Sequence, residues 1–506
     1  MSLARAVTFA LDGIASRRVV AEVDLRVGLP AFNIVGRGDA AVRESRERIQ
    51  AALLNSAFAF PGRRITANLA PADLRKVGPG FDLAIACALL AASGQVPVAA
   101  LDRWAIFGEL SLGGEVRPCR GTLAVAEGAR REGMAGLIVP RAAAREAALV
   151  DGLAVAAVST LREVAAVLRQ EIPPPAPPDP RARDMAERLD DLEDVRGHAE
   201  AIRALIVAAA GGHNLLLVGP PGTGKTMLAR RLPSVLPPLT HTEAVEVTRI
   251  HSVAGLCVGE GLAARRPLRA PHHTISASGL VGGGSSPMPG EVSLAHHGVL
   301  FLDELSEFAR TALEALRQPL EDGRAVVVRR QRTAIYPARF MLVASTNPCP
   351  CGHAGSSRCR CTEGDVLRYR RRLSGPLLDR IDLLVHVTRP SAAELAGEAH
   401  TTSSAARATI ARARERQTIR FAGEGIAANA QMSARQLRRH AGLDGTGQRI
   451  LASAYERNHL SARGHHRVLR VARTAADLAG SPRICAEHVI EALAFRQDTT
   501  TPQLAA

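Results

Sequence analysis

The residues able to do chemistry lie in three groups that a nucleoside triphosphate would draw together. Gly219-Pro-Pro-Gly-Thr-Gly-Lys-Thr226 has the spacing G-x-x-x-x-G-K-[ST]. Gly219, Gly222 and Gly224, with Pro220, Pro221 and Thr223 between them, let backbone N–H groups turn inward around a β-phosphate. Lys225 offers a point charge to the β and γ oxygens, and Thr226 offers a hydroxyl to Mg²⁺ at the mouth of a helix whose dipole favours anions. Asp303 and Glu304 end the apolar run Val299-Leu-Phe-Leu302. One carboxylate holding a metal beside another polarising water is the pair that metal-assisted phosphoryl transfer requires. Asn347 closes a third apolar run that begins at Phe340. It is placed either to orient the hydrolytic water or simply to start a turn before Pro348.

These groups need a scaffold. Leu215 to Val218 reads as a buried strand, and Met227 to Leu232 as the helix that follows the glycine loop. Further strands end at the carboxylates and at Asn347, where parallel sheets place their ligand chemistry. The 506 residues allow two to four domains. Ile172 to Pro180, with six prolines in nine residues, reads as a stiff spacer. A softer boundary falls between residues 390 and 405. The expected organisation is an α/β or α+β domain over 1–170, a linker over 171–188, a parallel-sheet nucleotide-binding core over 189–395 and a helical region over 396–506.

Lys plus Arg total 64 against 49 Asp plus Glu, a formal charge of +15. This points to a polyanion such as nucleic acid or anionic lipid, or merely to solubility. Aromatic residues make up 3%, with Trp104 the single Trp, so a base-stacking platform is disfavoured and contact through phosphates is favoured. The N-terminus shows no signal-peptide pattern, and the longest apolar run, Leu83 to Ala92, is about half of what a bilayer crossing needs. Eight cysteines are too few for a disulfide scaffold, and a cytoplasmic protein without membrane contact is expected.

Longer motifs carry a resemblance. The segments 265–274 (Arg-Arg-Pro-Leu-Arg-Ala-Pro-His-His-Thr), Gly282 to Gly284, 289–298 (Pro-Gly-Glu-Val-Ser-Leu-Ala-His-His-Gly), Asn347-Pro-Cys-Pro-Cys-Gly352 and 374–383 (Ser-Gly-Pro-Leu-Leu-Asp-Arg-Ile-Asp-Leu) resemble the ComM (YifB) group of magnesium-chelatase-like AAA+ ATPases. The resemblance runs from about residue 5 to 495. It implies ATP with Mg²⁺ as cofactor and a homo-hexameric ring with ATP between subunits. It also implies Arg380 as the arginine finger in trans and a cis sensor on the helical lid, for which Arg467 is chosen over Arg463 and Arg470. Arg380 could instead pair locally with Asp379 or Asp382. Val195-Arg-Gly-His198 is similar to the stretch that closes over adenine.

Arg324 to Tyr336 alternates apolar and polar residues around Arg329, Arg330 and Arg332. In related helicases such a hairpin projects into the pore, which makes these three arginines candidate DNA contacts; otherwise they are a solvated basic edge. The segment from His272 to Pro289 reads as a long flexible loop. His272, His273, His296 and His297 are expected to form hydrogen bonds rather than bind metal, because adjacent side chains diverge. Cys349, Cys351, Cys359 and Cys361, spaced C-x-C-x7-C-x-C, could close a structural Zn²⁺ site, or remain free thiols or a redox pair.

Residues 74–86, 107–118 and 124–140 resemble the Lon-protease-like domain of ribosomal-S5-domain-2 type. Gly80 or Phe81 stands where such proteases carry the nucleophilic Ser, and Leu123 where they carry Lys, so no peptidase activity is expected. The resemblance implies a DNA motor that promotes branch migration of recombination intermediates during DNA uptake, with single-stranded or branched DNA and recombination proteins as partners, and the basic hairpin and the charge of +15 favour it. The alternatives are a motor subunit for Mg²⁺ insertion into a porphyrin and a protein-remodelling chaperone.

Overall fold

The computed structural model describes residues 2–179, 190–256, 261–284, 287–329, 332–354, 356–373, 375–457 and 460–496. Part of the proline spacer and Arg330 therefore lie outside the described residues. Ser2–Asp12 forms a strand (β1) that the sequence pattern does not announce, and it occupies an interior place in the first sheet. Gly13, at φ +65°, turns it into β2 (Ala15–Arg26). The same sheet contains β3 (Ala31–Val35), β4 (Arg64–Ala70) and β5 (Trp104–Ile106). After a small ribbon of β6 (Glu109–Leu110) and β7 (Val116–Arg117) come its last two strands, β8 (Gly136–Pro140) and β9 (Ala154–Val158). The order is β3-β4-β2-β1-β5-β8-β9, antiparallel around β2 and parallel from β1 to β9. The apolar helix Asp82–Ala92 is buried on all sides beneath this sheet, which explains its unbroken hydrophobicity. Among the described residues no helix is long and apolar enough to cross a membrane.

The second sheet is fully parallel. β10 (Leu215–Val218) and β11 (Leu268–Arg269) are followed by the ribbon β12 (Gly282–Gly283) and β13 (Met288–Pro289), then by β14 (Val299–Leu302). The hairpin β15 (Arg324–Arg329) and β16 (Arg332–Pro337) precedes β17 (Met341–Thr346) and β18 (Leu383–His386). The sheet order is β11-β14-β17-β10-β18. Interior strands of a sheet covered on both faces must be apolar at every position, hence the runs in β10, β14 and β17. The described residues between 272 and 284 are more ordered than expected: Ser276 caps the helix Ala277–Val281, and Leu280 is buried beside the hairpin's Ala325 and Val327. The C-terminal helices, including Ser403–Arg420 and Ala462–Ala479, share one apolar core with Leu215, Leu217 and Val343.

The N-terminal unit touches the core directly. Pro175 accepts from the Ala157 amide (2.9 Å), so the start of the proline segment lies along the edge strand β9. The N-terminal unit meets the core through the helix His241–Ala254: Arg249 pairs with Glu127 (2.5 Å), and the Ser252 carbonyl accepts from Gly121 N (3.1 Å). Glu146 is buried at this junction, accepting from Leu123 N (2.7 Å) and from the Ser252 hydroxyl.

Burial pushes the Glu146 carboxyl up to about 7, outweighing its two hydrogen bonds. A carboxyl whose folded pKa exceeds its unfolded value keeps its proton longer when folded, so stability falls as pH rises from about 4.5 to about 7 and then levels. Glu146→Gln keeps an acceptor for both donors without the charge. The variant is expected to melt higher than the parent at pH 8 and equally at pH 4.5; parallel melting curves at both pH values would refute this account.

Candidate nucleotide-binding site

Each chemical group stands at the C-terminal end of a core strand. β10 leads into the phosphate loop, where Gly222 (φ +74°) and Gly224 (φ +82°) adopt the left-handed turns that glycine permits, and the helix Lys225–Arg230 follows. Lys225 is buried and donates to the carbonyls of Gly219 (2.6 Å) and Pro220 (2.8 Å) and to Asn347 Oδ1 (3.2 Å). Burial lowers its pKa, and Asp303 and Glu304 oppose that shift. Asn347 thus reaches the loop across the β10–β17 pairing. Thr226 Oγ1 donates to Asp303 Oδ2 at 2.8 Å. A hydroxyl and a carboxylate converging at one point, with Glu304 next in sequence, form a hard-oxygen set suited to Mg²⁺.

Two further participants are not assigned to the site by the sequence. Ser345, on β17, donates to Asp303 Oδ1 and accepts from Glu304 N (3.3 Å). His273 Nδ1 lies 3.8 Å from Glu304 Oε2. Only strand pairing and chain return bring these groups near the carboxylates. Glu304 itself sits at φ +53°, a left-handed conformation that costs a non-glycine residue on the order of 1 kcal/mol and turns its side chain off the strand axis. His198, also left-handed at φ +60°, opens the helix Ala199–Gly211, and a Cβ built on Gly224 would lie 3.5 Å from its Nε2. The Val195–His198 stretch therefore does border the phosphate loop.

The arginines lie elsewhere. Asn214, which precedes β10, donates through Nδ2 to the Arg380 carbonyl (2.8 Å), so Arg380 stands at the opposite end of the sheet from its own phosphate loop. Its guanidinium contacts Glu321 and the Pro376 carbonyl, rather than Asp379 or Asp382, and its Nε is buried without a hydrogen-bond partner among the described residues. Arg467 shares that end, 3.8 Å from Asp382 and 3.9 Å from Asp379. In this conformation Arg467 therefore lies at the end of the sheet remote from its own phosphate loop. Arg470 donates to the Met432 carbonyl (2.9 Å), and Arg463 lies 3.8 Å from Asp379.

The histidine pairs do not diverge. His297 is left-handed (φ +56°), which swings its ring onto the side of His296, and their Nε2 atoms lie 2.7 and 3.1 Å from Glu246 Oε2. This Glu246–His296–His297 group is nonetheless a poor metal site. His296 Nδ1 accepts from Arg339 N (2.9 Å), so the neutral ring carries its proton on Nε2, the atom facing Glu246. Burial and His297 lower the His296 pKa to about 4, which keeps the ring neutral.

The hairpin β15–β16 pairs Arg324 with Pro337 through to Arg329 with Arg332, leaving Val328 and Ile335 exposed. In the N-terminal unit, a side chain at Gly80 would meet Phe107 (2.5 Å from a built Cβ), and Leu123 is buried.

Comparison with known proteins places this arrangement. The description "Magnesium chelatase, subunit ChlI" matches residues 191–395, "Subunit ChlI of Mg-chelatase" matches 21–143 and "Magnesium chelatase, subunit ChlI C-terminal" matches 400–496. Competence protein ComM of Haemophilus influenzae is 41% identical over 505 residues, covering 98% of each chain. The chain belongs to the ComM/YifB family of magnesium-chelatase-like AAA+ ATPases. A family relative in Escherichia coli, YifB, is 41% identical over 503 residues, covering 98% of this chain and 97% of its own. An uncharacterised protein of Mycobacterium tuberculosis is 45% identical over 499 residues, 98% of this chain and 99% of its own. Family membership implies the use of ATP and Mg²⁺, and the Thr226–Asp303 pair fits that requirement.

Proposed function

We propose that this ComM-family ATPase is a ring-forming DNA motor that promotes branch migration of recombination intermediates, serving DNA uptake. The reading rests chiefly on the basic hairpin: a β-ribbon ending in Arg329 and Arg332, set just before the strand that carries Asn347. In a homo-hexamer six such ribbons would line the pore, and the excess of positive charge suits a phosphate backbone. Similarity to competence protein ComM agrees with this use. The N-terminal unit, read as a Lon-like fold without its dyad, would serve as a collar, and the C-terminal helices as the lid.

In the catalytic cycle Lys225 would exchange the Gly219 and Pro220 carbonyls for phosphate oxygens. Mg²⁺ held by Thr226 and Asp303 would screen charge on the β and γ oxygens. Glu304 would accept hydrogen-bonding from the attacking water, with His273 beside it, and Asn347 would fix that water's position. Arg380 and Arg467, both at the end of the sheet remote from their own loop, would serve the site of a neighbouring subunit. Charge supplied at that moment stabilises the transition state.

The test is ATP turnover with and without single-stranded and branched DNA across a salt titration. Replacing Arg329, Arg330 and Arg332 together with Ala should weaken DNA binding. It should also flatten the slope of log affinity against log salt, by about one for each phosphate that the three arginines neutralise. DNA-independent turnover, or an unchanged slope, would refute the DNA reading. The matches to chelatase subunit ChlI favour a second reading, a motor for metal insertion, which predicts no DNA stimulation.

A further inference from the structure

The described residues between 348 and 361, directly after Asn347, bury no apolar side chain besides Cys349. A Gly/Ser-rich loop without a core cannot hold one conformation by packing. Its four thiols are nevertheless gathered: Cys349 and Cys351 sulfurs are 3.4 Å apart, Cys349 and Cys359 3.9 Å, and Cys351 and Cys359 3.7 Å. With Cys361 all four lie within 4.8 Å of one another. A tetrahedral zinc with Zn–S bonds of about 2.3 Å spaces its sulfurs about 3.8 Å apart, which these separations approach. Four thiolates leave no open coordination position, so the metal would be structural.

The loop's position is the more telling fact. Gly352, between the second and third cysteines, is buried at φ +82° and donates to the Cys349 carbonyl (2.9 Å). A Cβ built on Gly352 would lie 2.5 Å from Pro221 Cδ. The thiol loop therefore presses without a gap on the phosphate loop, while its first ligand follows Asn347 by two residues. One end of the cluster carries the residue that meets Lys225; its inner turn backs the prolines that shape the β-phosphate cradle.

We propose that Cys349, Cys351, Cys359 and Cys361 bind one Zn²⁺ per chain, and that this zinc knuckle is a positioning device that holds the phosphate loop and Asn347 in register for the nucleotide. The proposal rests on the phosphate-loop reading. Without the metal the knuckle has no apolar core to keep it ordered, so Pro221 loses its backing and Asn347 its anchor. Displacing such groups by about 1 Å weakens their effect by about 10- to 100-fold.

The experiment measures zinc content and the affinity for a fluorescent ATP analogue in Mg²⁺ on the full chain. Wild type is expected to carry one zinc per chain. Cys359→Ser with Cys361→Ser should lose the zinc and bind nucleotide about tenfold or more weakly. Because that variant could fold poorly, wild type treated with a zinc-selective chelator at constant Mg²⁺ should show the same loss and recover when zinc is restored. Gly352→Ala should keep its zinc yet bind nucleotide more weakly, since the added methyl must displace Pro221. Unchanged affinity in zinc-free protein, or wild type that binds nucleotide without zinc, overturns the knuckle. Wild type that carries zinc but binds no nucleotide overturns the phosphate-loop reading and the coupling with it, while the metal site stands.

Discussion

Lys225→Ala is expected to abolish ATP turnover while leaving the fold standing. The amine lies inside the phosphate loop, tied to Gly219, Pro220 and Asn347. Those partners are two carbonyls and an amide oxygen, none of which carries a charge to neutralise it. Burial lowers its pKa more than Asp303 and Glu304 raise it, so its charge is only partly compensated and a phosphate gains correspondingly from meeting it. Loss of one such preorganised charge costs on the order of 10²–10³ in turnover, and more where ground-state binding is lost too. The strands around it are fixed by apolar packing, so the melting midpoint should move by less than about 4 °C. Turnover within tenfold of the parent, measured by phosphate release, would mean that the catalytic centre lies elsewhere.

Arg380→Ala should leave nucleotide binding nearly intact and lower turnover by about 10³-fold, the scale of an arginine finger. Within one chain Arg380 is at the wrong end of the sheet to touch its own nucleotide, and its local contacts are Glu321 and the Pro376 carbonyl. The alternative, a purely local ion pair, predicts little loss of turnover because Glu321 is half exposed and such pairs contribute about 0–1 kcal/mol. Subunit mixing separates the two accounts. A Lys225→Ala subunit retains Arg380 to lend, and an Arg380→Ala subunit retains its phosphate loop. Mixed before assembly, the two dead variants should recover turnover at their shared interfaces; a mixture as inactive as its components would sink the trans assignment.

Much of the site was legible because its residues are local and chemically constrained. A glycine spacing, a Lys-Thr pair at a helix start and carboxylates ending an apolar strand each announce themselves within a dozen residues. The failures are equally specific. Adjacency suggested that His296 and His297 point apart, but the positive φ of His297 rotates one ring onto the other's side. The place of Ser345 and His273 in the site carries no signal, since their nearness to Asp303 and Glu304 follows from β14 pairing with β17 and from a chain return. β1 does not announce itself because it packs both faces in part and lacks a clean alternation, although it is central to its sheet.

Residue type and spacing alone determined the phosphate loop, the carboxylate pair and the cysteine quartet, because each depends on chemistry contained in a short segment, while the family rested on the resemblance of the longer motifs. Only the tertiary structure decided which end of the sheet each arginine occupies and which surface the cysteine loop touches. Strand direction and pairing order set those positions, and they arise from contacts between residues far apart in the chain. That is why the placement of Arg467 and Arg380 at the end of the sheet remote from the phosphate loop is not legible in one dimension.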